Sequence, residues 1–425
     1  MSTEEKKGFL YDWEDQRVPE TATRPWWDIA YVQLGLFTSG FMLMTGGLLV
    51  GSGWPWYHIL AWLVVGNLII LGLYVAIGHI GVKERLPTAF IAEVIFGKYG
   101  AKVFNIVLVG TIMAWAALGI HQLALAITDL TGVSIYVTAW IAALLVWLSS
   151  SAGYKTISIL SKLAIPWFVT ILFIVELYYG FKLGWNFWGQ KAPYGGVFNT
   201  FWDGVTFVVG LNIVASFLQA NSSRYAKSTK DFIKASTFSV FFGMILLTFL
   251  SCTLAAYALT PENSFADPFL IATRTMGVVG GIMAWILIWT TADNDFWHLS
   301  LSMVELYPKV RRWIYDTILV IFSIIVIYAG VLYRYTDFAT TLSILWPAIP
   351  GIFIAHYYIL PKIGVDIYVI KKRNLPVNAL AIISWIVGAV VAYFVKSYAL
   401  PLPELAALVA ALVVYAIGMM VYKGK

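Results

Sequence analysis

The residues with the most chemistry to offer lie in one run, Ile288-Trp289-Thr290-Thr291-Ala292-Asp293-Asn294-Asp295-Phe296-Trp297-His298. Two carboxylates, an amide, two hydroxyls and an imidazole interrupt a stretch that is otherwise apolar. Groups at i, i+3 and i+4 share one face of a helix. The Leu287 carbonyl and the hydroxyls of Thr290 and Thr291 can therefore point together at one small hard cation. Threonines in apolar helices also bond back to the i−4 carbonyl, and spacing alone leaves both uses open. Further polar groups come from Val32-Gln33-Leu34-Gly35-Leu36-Phe37-Thr38-Ser39-Gly40-Phe41, followed by Thr45-Gly46-Gly47, and from Val209 to Ser216, followed by Gln219 and Asn221. Glycine flanked by short hydroxyl side chains suits a helix that opens for a few residues and turns bare peptide groups to a cavity. It also suits close packing of helices through small residues. If the first run opens, carbonyls near Gly35 and Thr38 bring the set to five neutral oxygens, which suits Na⁺.

These residues must be held by long helices. The chain has 425 residues, 60% hydrophobic and only 12% charged. A helix needs about 20 apolar residues to cross a bilayer, and runs of that length recur almost end to end. Twelve spans are expected, at 26–50, 55–82, 101–128, 133–152, 157–181, 198–220, 234–260, 278–304, 313–333, 340–360, 376–395 and 402–422. The runs lack the period-2 alternation of a barrel strand. The end-to-end recurrence of such apolar runs excludes a soluble globular enzyme, a coiled coil, a disordered chain and a secreted disulfide scaffold. The one cysteine, Cys252, has no partner for an intrachain disulfide. Residues 1–25 have no apolar core and read as a cytosolic segment, not a signal peptide.

The net charge of +6 follows topology. With the N-terminus in the cytosol, all but five of the 28 Lys and Arg fall in cytosolic segments, the exceptions being Lys182, Lys191, Arg274, Arg334 and Lys396. That bias sets both termini in the cytosol. A multi-pass protein of the cell membrane is expected, with no nucleic-acid partner and a monomer as sufficient unit. The first and sixth spans occupy corresponding places in two five-span halves, 26–182 and 183–360, with 361–425 outside the repeat. An odd-numbered repeat inserts its second copy upside down, and interrupted helices in corresponding positions point to a midplane site. Breaks are therefore expected in both spans.

At this point the motifs become recognisable. Val32-Gln33-Leu34-Gly35-Leu36 through Thr45-Gly46-Gly47, Gly66-Asn67-Leu68, Gly78-His79-Ile80-Gly81-Val82-Lys83 and Phe96-Gly97-Lys98-Tyr99-Gly100 resemble the nucleobase:cation symporter-1 family, most nearly its cytosine permeases. Gly110-Thr111 with Trp115, Ser222-Ser223-Arg224-Tyr225, Trp289-Thr290-Thr291 with Asp293-Asn294, and Trp346-Pro347-Ala348-Ile349-Pro350-Gly351 extend the likeness over residues 26–360. The resemblance implies an all-helical membrane protein with the LeuT-type 5+5 inverted repeat plus two C-terminal helices. It implies alternating-access uptake of a small flat heterocycle. It assigns Na⁺ to Gly35, Thr38, Leu287, Thr290 and Thr291, and makes Trp115 a stacking platform. Ser39, Gly40, Asn212, Ser216 and Asn294 are the remaining candidates for contact with the solute.

The chain departs from the cytosine-permease pattern at Ile112, at Leu211 and Val214, and at Ala292, where polar pocket groups are expected. An alkyl side chain cannot replace a buried amide that reads a base edge without loss of specificity, so the expectation is a nucleobase or related small flat heterocycle, with a less polar or differently substituted ring open beside cytosine. No cofactor is called for; the coupling ion is Na⁺, or H⁺ carried by Asp293. An amino-acid or vitamin carrier of the same fold is the rival reading. No His-Glu-x-x-His or Gly-x-Ser-x-Gly set lies in a span, so no enzyme is expected.

Overall fold

Lipid offers no hydrogen-bond partner, so backbone that crosses it must close its own bonds. Among the described residues every long element is accordingly a helix. The computed structural model describes residues 13–38, 40–151, 153–183, 198–258, 268–330 and 335–423. The helices are α1 (Trp26–Phe37), α2 (Gly40–Gly51), α3 (Trp56–Glu84), α4 (Thr88–Phe96), α5 (Lys98–Thr131), α6 (Ile135–Ser150), α7 (Tyr154–Leu183) and α8 (Phe201–Ser223). They continue with α9 (Thr229–Ser239), α10 (Thr248–Ala258), α11 (Pro268–Leu306), α12 (Arg312–Tyr328), α13 (Tyr335–Leu345), α14 (Ala348–Ile354), α15 (Val369–Lys372), α16 (Ala379–Ser397) and α17 (Pro403–Lys423). Among the described residues nine helical stretches are long and apolar enough to cross a membrane, and the bent pair α1–α2 makes a tenth. The shorter α6 and α12, of 16 and 17 residues, take the places of the fourth and ninth expected spans.

Packing follows an inverted repeat. Helix α2 packs on α10 as α8 packs on α3, and α1 packs on α7 as α8 packs on α13. Exchanging spans 1–5 with spans 6–10 turns the first contact of each pair into the second. The α5–α11 contact maps onto itself. Outer faces such as Leu163, Trp167, Ile174 and Leu177 of α7 stay exposed, as lipid contact requires.

The first span is broken as its composition suggests. Thr38 leaves helical geometry (φ −83°, ψ 77°), and both its amide (2.7 Å) and its hydroxyl (2.5 Å) bond to the Leu34 carbonyl, closing the last turn of α1. Helix α2 then sets off at 53°. The sixth span differs from expectation: α8 is a single helix from Phe201 to Ser223. Its small and polar residues serve an intact rod. A Cβ on Gly210 would stand 2.6 Å from the Ala339 carbonyl, so this glycine admits α13. Asn212 Nδ2 bonds back to the Val208 carbonyl (3.1 Å) and Ser216 Oγ to that of Ile213 (2.6 Å).

Other irregularities were not foreseen. The seventh span carries a π-helical stretch, Val240–Leu247, between α9 and α10. Inside α11, Gly277 adopts φ 63°, ψ −156°, which suits only glycine. The regular part of α11 thus starts at the expected residue 278. At the end of the molecule with the basic loops, residues 13–25 cross the helix ends, held by Val18 N to Arg85 O (3.0 Å), Arg24 N to Tyr225 O (2.7 Å) and Arg17 to Glu84 (2.9 Å). Beside them, Asp28 of α1 accepts from Lys162 and from Ser158 (2.8 Å), both on α7.

Candidate functional site

Two sites meet where α1 gives way to α2. The first is a cluster of oxygens between α1 and α11. Thr290 Oγ1 lies 2.8 Å from the Leu287 carbonyl and 3.4 Å from that of Gly35; Thr291 Oγ1 lies 3.4 Å and 3.0 Å from the same two. Simple back-bonding would satisfy each hydroxyl within α11. Both also reach the Gly35 carbonyl on another helix, so four neutral oxygens converge. Oxygens held at about 2.4 Å from a small hard cation stand about 3.4 Å apart, so the cluster needs little adjustment to enclose one. Thr38 sits at the break itself, fully buried, with its hydroxyl directed to Leu34; its carbonyl is the group it would add.

The close approach depends on Gly35. A Cβ there would lie 2.2 Å from Ser161 Oγ of α7. Behind the cluster, Asn294 Nδ2 bonds to the Thr290 carbonyl (2.8 Å). Asn294 therefore braces the threonine turn and does not line the adjoining cavity. Asp293 is fully buried beside it, and among the described residues no hydrogen bond of good geometry reaches either carboxylate oxygen.

The second site is a cavity of about 110 Å³ between α1–α2, α3, α5, α8, the π stretch with α10, and α11. Thr291 lines it as well as the oxygen cluster. One wall is aromatic: Trp115 of α5 meets Phe41 edge-on (5.2 Å, 85°) and Phe338 (5.1 Å, 64°). The polar lining comes from Thr45, Asn67, Asn212, Thr248, Asp295 and His298 in addition to Thr291.

Residues 18–418 match the model of the permease family for cytosine/purines, uracil, thiamine and allantoin. The chain belongs to that family. Cytosine permease of Escherichia coli (strain K12) is 26% identical over 357 residues, covering 80% of this chain and 79% of that protein. Among solved structures, the nucleobase-cation-symport-1 transporter Mhp1, in a closed conformation with bromovinylhydantoin bound, superposes with a TM-score of 0.81 at 14% identity, over 97% of this chain and 95% of Mhp1. Its inward-facing conformation gives 0.75 at 15% identity, over 96% and 95%. A Na⁺-coupled sialic acid symporter gives 0.63 at 12% identity, over 94% and 90%. The fold is thus one for which closed and inward-facing forms are both known.

In this permease the structure gathers Gly35, Leu287, Thr290 and Thr291 in one place and puts Trp115 and Asn212 on the cavity wall. Ser216 is fully buried and turned back on its own helix, away from the cavity. Gly40 is the first residue of α2, and Ser39 lies outside the described residues. The alkyl departures Ile112, Leu211 and Val214 all line the cavity, so the permease has apolar wall where its relatives' pattern leads one to expect polar groups. Ala292 does not line it; a Cβ on Gly119 would stand 3.1 Å from the Ala292 Cβ, which makes this alanine part of the α5–α11 contact. Sequence reasoning missed Thr45, Asn67 and Thr248 as lining groups, and named Asp295 and His298 only as members of the polar run of the eighth span, with no place at the cavity. The signal for the last two was present: with Thr291 they fall at helical steps of four and three.

Proposed function

We propose that this permease imports a small flat heterocycle, coupled to Na⁺, by alternating access. The carrying observation is the bridge from the Gly35 carbonyl to the hydroxyls of Thr290 and Thr291 at 3.4 and 3.0 Å, with Thr291 shared by the cavity. A cation held there ties α1 to α11 and orders the break. A solute against Trp115, α2 and α11 favours the same closed arrangement. Two ligands that stabilise one state raise each other's affinity by the same factor, which is all that coupling requires. Thr38 supplies the fifth oxygen in this reading.

The cavity supports a single ring as cargo. A cavity of ~150 Å³ takes benzene, and this one is about 110 Å³. The E. coli relative is named for cytosine, and Mhp1 holds a substituted hydantoin, another single ring. A free amino acid fits less well: among the described lining residues no Lys or Arg is present to take its carboxylate. Proton coupling through Asp293 has less support: that side chain is buried outside the cavity lining. In this reading the protein works as a monomer in the cell membrane, with both termini in the cytosol.

The test is uptake by proteoliposomes of the purified protein, with labelled single-ring nucleobases and hydantoins. An inward Na⁺ gradient is compared with choline and with an imposed pH gradient. Accumulation driven by Na⁺ alone is expected. Accumulation driven equally by the pH gradient in choline would overturn sodium coupling, and failure to concentrate any ring would overturn transport of this class.

A further inference from the structure

The cavity holds one polar pair that nothing above assigns. Asp295 and His298 lie one turn apart on α11, and both line the cavity. The tautomer of His298 is fixed from behind. The backbone amide of Thr88, first residue of α4, donates to Asn221 Oδ1 (2.8 Å), which fixes the orientation of the Asn221 amide. The opposite end of that amide, Nδ2, lies 2.8 Å from His298 Nδ1. An amide nitrogen can only donate, so Nδ1 accepts, and the neutral ring carries its proton on Nε2. All three side chains are buried, at 0% exposure for Thr88, 1% for Asn221 and 5% for His298. The imidazole is therefore a fixed N–H donor.

Asp295 is the complement. Among the described residues its carboxylate makes no hydrogen bond or ion pair. The other polar lining groups are already engaged: Asn67 Nδ2 with the Met244 carbonyl (3.3 Å), Asn212 with Asn67 and Val208, Thr248 with the Gly243 carbonyl (3.4 Å). A carboxylate taken out of bulk water is costly unless paired. Asp295 is half-buried and opens onto the cavity, so a solute that displaces the cavity's water takes over as the source of donors.

We propose that Asp295 and His298 read one edge of the cargo, and that this edge presents a carbonyl, a ring N–H and an exocyclic amine in succession, as in a 2-aminopyrimidin-4-one or another cyclic acylguanidine. The assignment rests on the transport reading above and names its substrate class. His298 Nε2–H donates to the carbonyl. The two carboxylate oxygens accept the ring N–H and the amine together, in the forked geometry that makes such pairs strong. An imide edge such as that of uracil or hydantoin replaces the amine by a second carbonyl, whose lone pairs oppose the carboxylate. Unpaired or opposed buried groups are what discriminates sharply between analogues.

The test is calorimetric titration of the purified full-length protein in saturating Na⁺ with isocytosine and with uracil, which differ at that one group. Isocytosine is expected to bind at least tenfold tighter. Asp295→Asn, which offers one acceptor and one donor, is expected to cancel or reverse the preference. Asp295→Glu is expected to keep it at reduced affinity, and it separates recognition from any folding defect of the amide variant. His298→Gln is expected to weaken both probes alike, since both carry the carbonyl. Preference for uracil in the parent, or an equal loss of both probes in Asp295→Asn with Asp295→Glu unchanged from the parent, overturns the assignment and leaves the transport reading standing. No binding of either probe, nor of cytosine or hydantoin, overturns both.

Discussion

Replacing Thr291 by valine removes one oxygen from the α1–α11 cluster and keeps the shape of the side chain. In the sodium-free protein the cost is small. Thr291 gives up contacts of 3.0 Å to Gly35 and 3.4 Å to Leu287, while Thr290 keeps its 2.8 Å bond to the same Leu287 carbonyl. One neutral hydrogen bond is worth about 0.5–1.5 kcal/mol. With the cation bound the loss is larger, because a polar contact to a charged group is worth about 1.5–3 kcal/mol. That is about a 10- to 150-fold rise in the sodium concentration needed. Thermal unfolding of purified protein at rising NaCl, with choline chloride holding ionic strength constant, reads this directly, since bound ligand stabilises as RT ln(1 + [L]/Kd). The Thr291→Val curve should start slightly below the parent and rise only at far higher sodium. By linkage, the sodium concentration at which ring affinity rises must move upward by the same factor. A sodium curve that superposes on the parent refutes the placement of the cation.

Four further outcomes follow from the packing. Gly35→Ala brings a methyl to 2.2 Å from Ser161 Oγ and should cost about 1–3 kcal/mol as overpacking; Ser161→Gly in the same chain should restore the melting temperature, and failure to do so would place the strain elsewhere. Trp115→Leu should weaken ring binding by about 1–3 kcal/mol, the worth of one stacked base, with the sodium midpoint of the ring-free protein unmoved in the same thermal assay. Asp28→Asn removes the charge that holds Lys162 of α7 against α1. A pair of this exposure is worth up to about 1 kcal/mol, so spin-label distances between α1 and α7 should show severalfold more of the separated form. Gly277→Ala meets no atom within 4 Å, so its expected loss of about 1–3 kcal/mol is the cost of holding a Cβ at φ 63°, ψ −156° alone; melting temperature should fall with sodium affinity unchanged.

Much of the candidate site's geometry was legible in the sequence because its signals are local. The threonine pair, the carbonyl one turn before it, and the hydroxyl-flanked glycines of the first span each sit within a few residues of one another. Their chemistry follows from helical spacing. The bend between α1 and α2 falls within the run Gly35 to Gly40 for the same reason. What the sequence hid depends on partners far along the chain. Gly210 looks like Gly35 in its surroundings, yet it admits α13 and leaves α8 straight, and only the position of Ala339 decides between the two. Ser216 and Asn294 look like pocket groups by composition, and each is turned to a backbone carbonyl within its own helix. His298 acquires a defined role only through Asn221 and Thr88, from two other elements. The π stretch that brings Met244 and Thr248 to the cavity has no sequence signature in an apolar run.

The straight sixth span makes the two halves unequal partners. In the function proposed here only the first would lend peptide groups to the ion, so that the break between α1 and α2 and the ion seat would be one and the same object. The second contributes a stiff wall read through its side chains. Swaps along that wall, such as Leu211 or Val214, which line the cavity, would retune which solute is accepted while the proposed sodium cluster between α1 and α11 stays untouched. Relatives can thereby diverge in diet without rebuilding their engine.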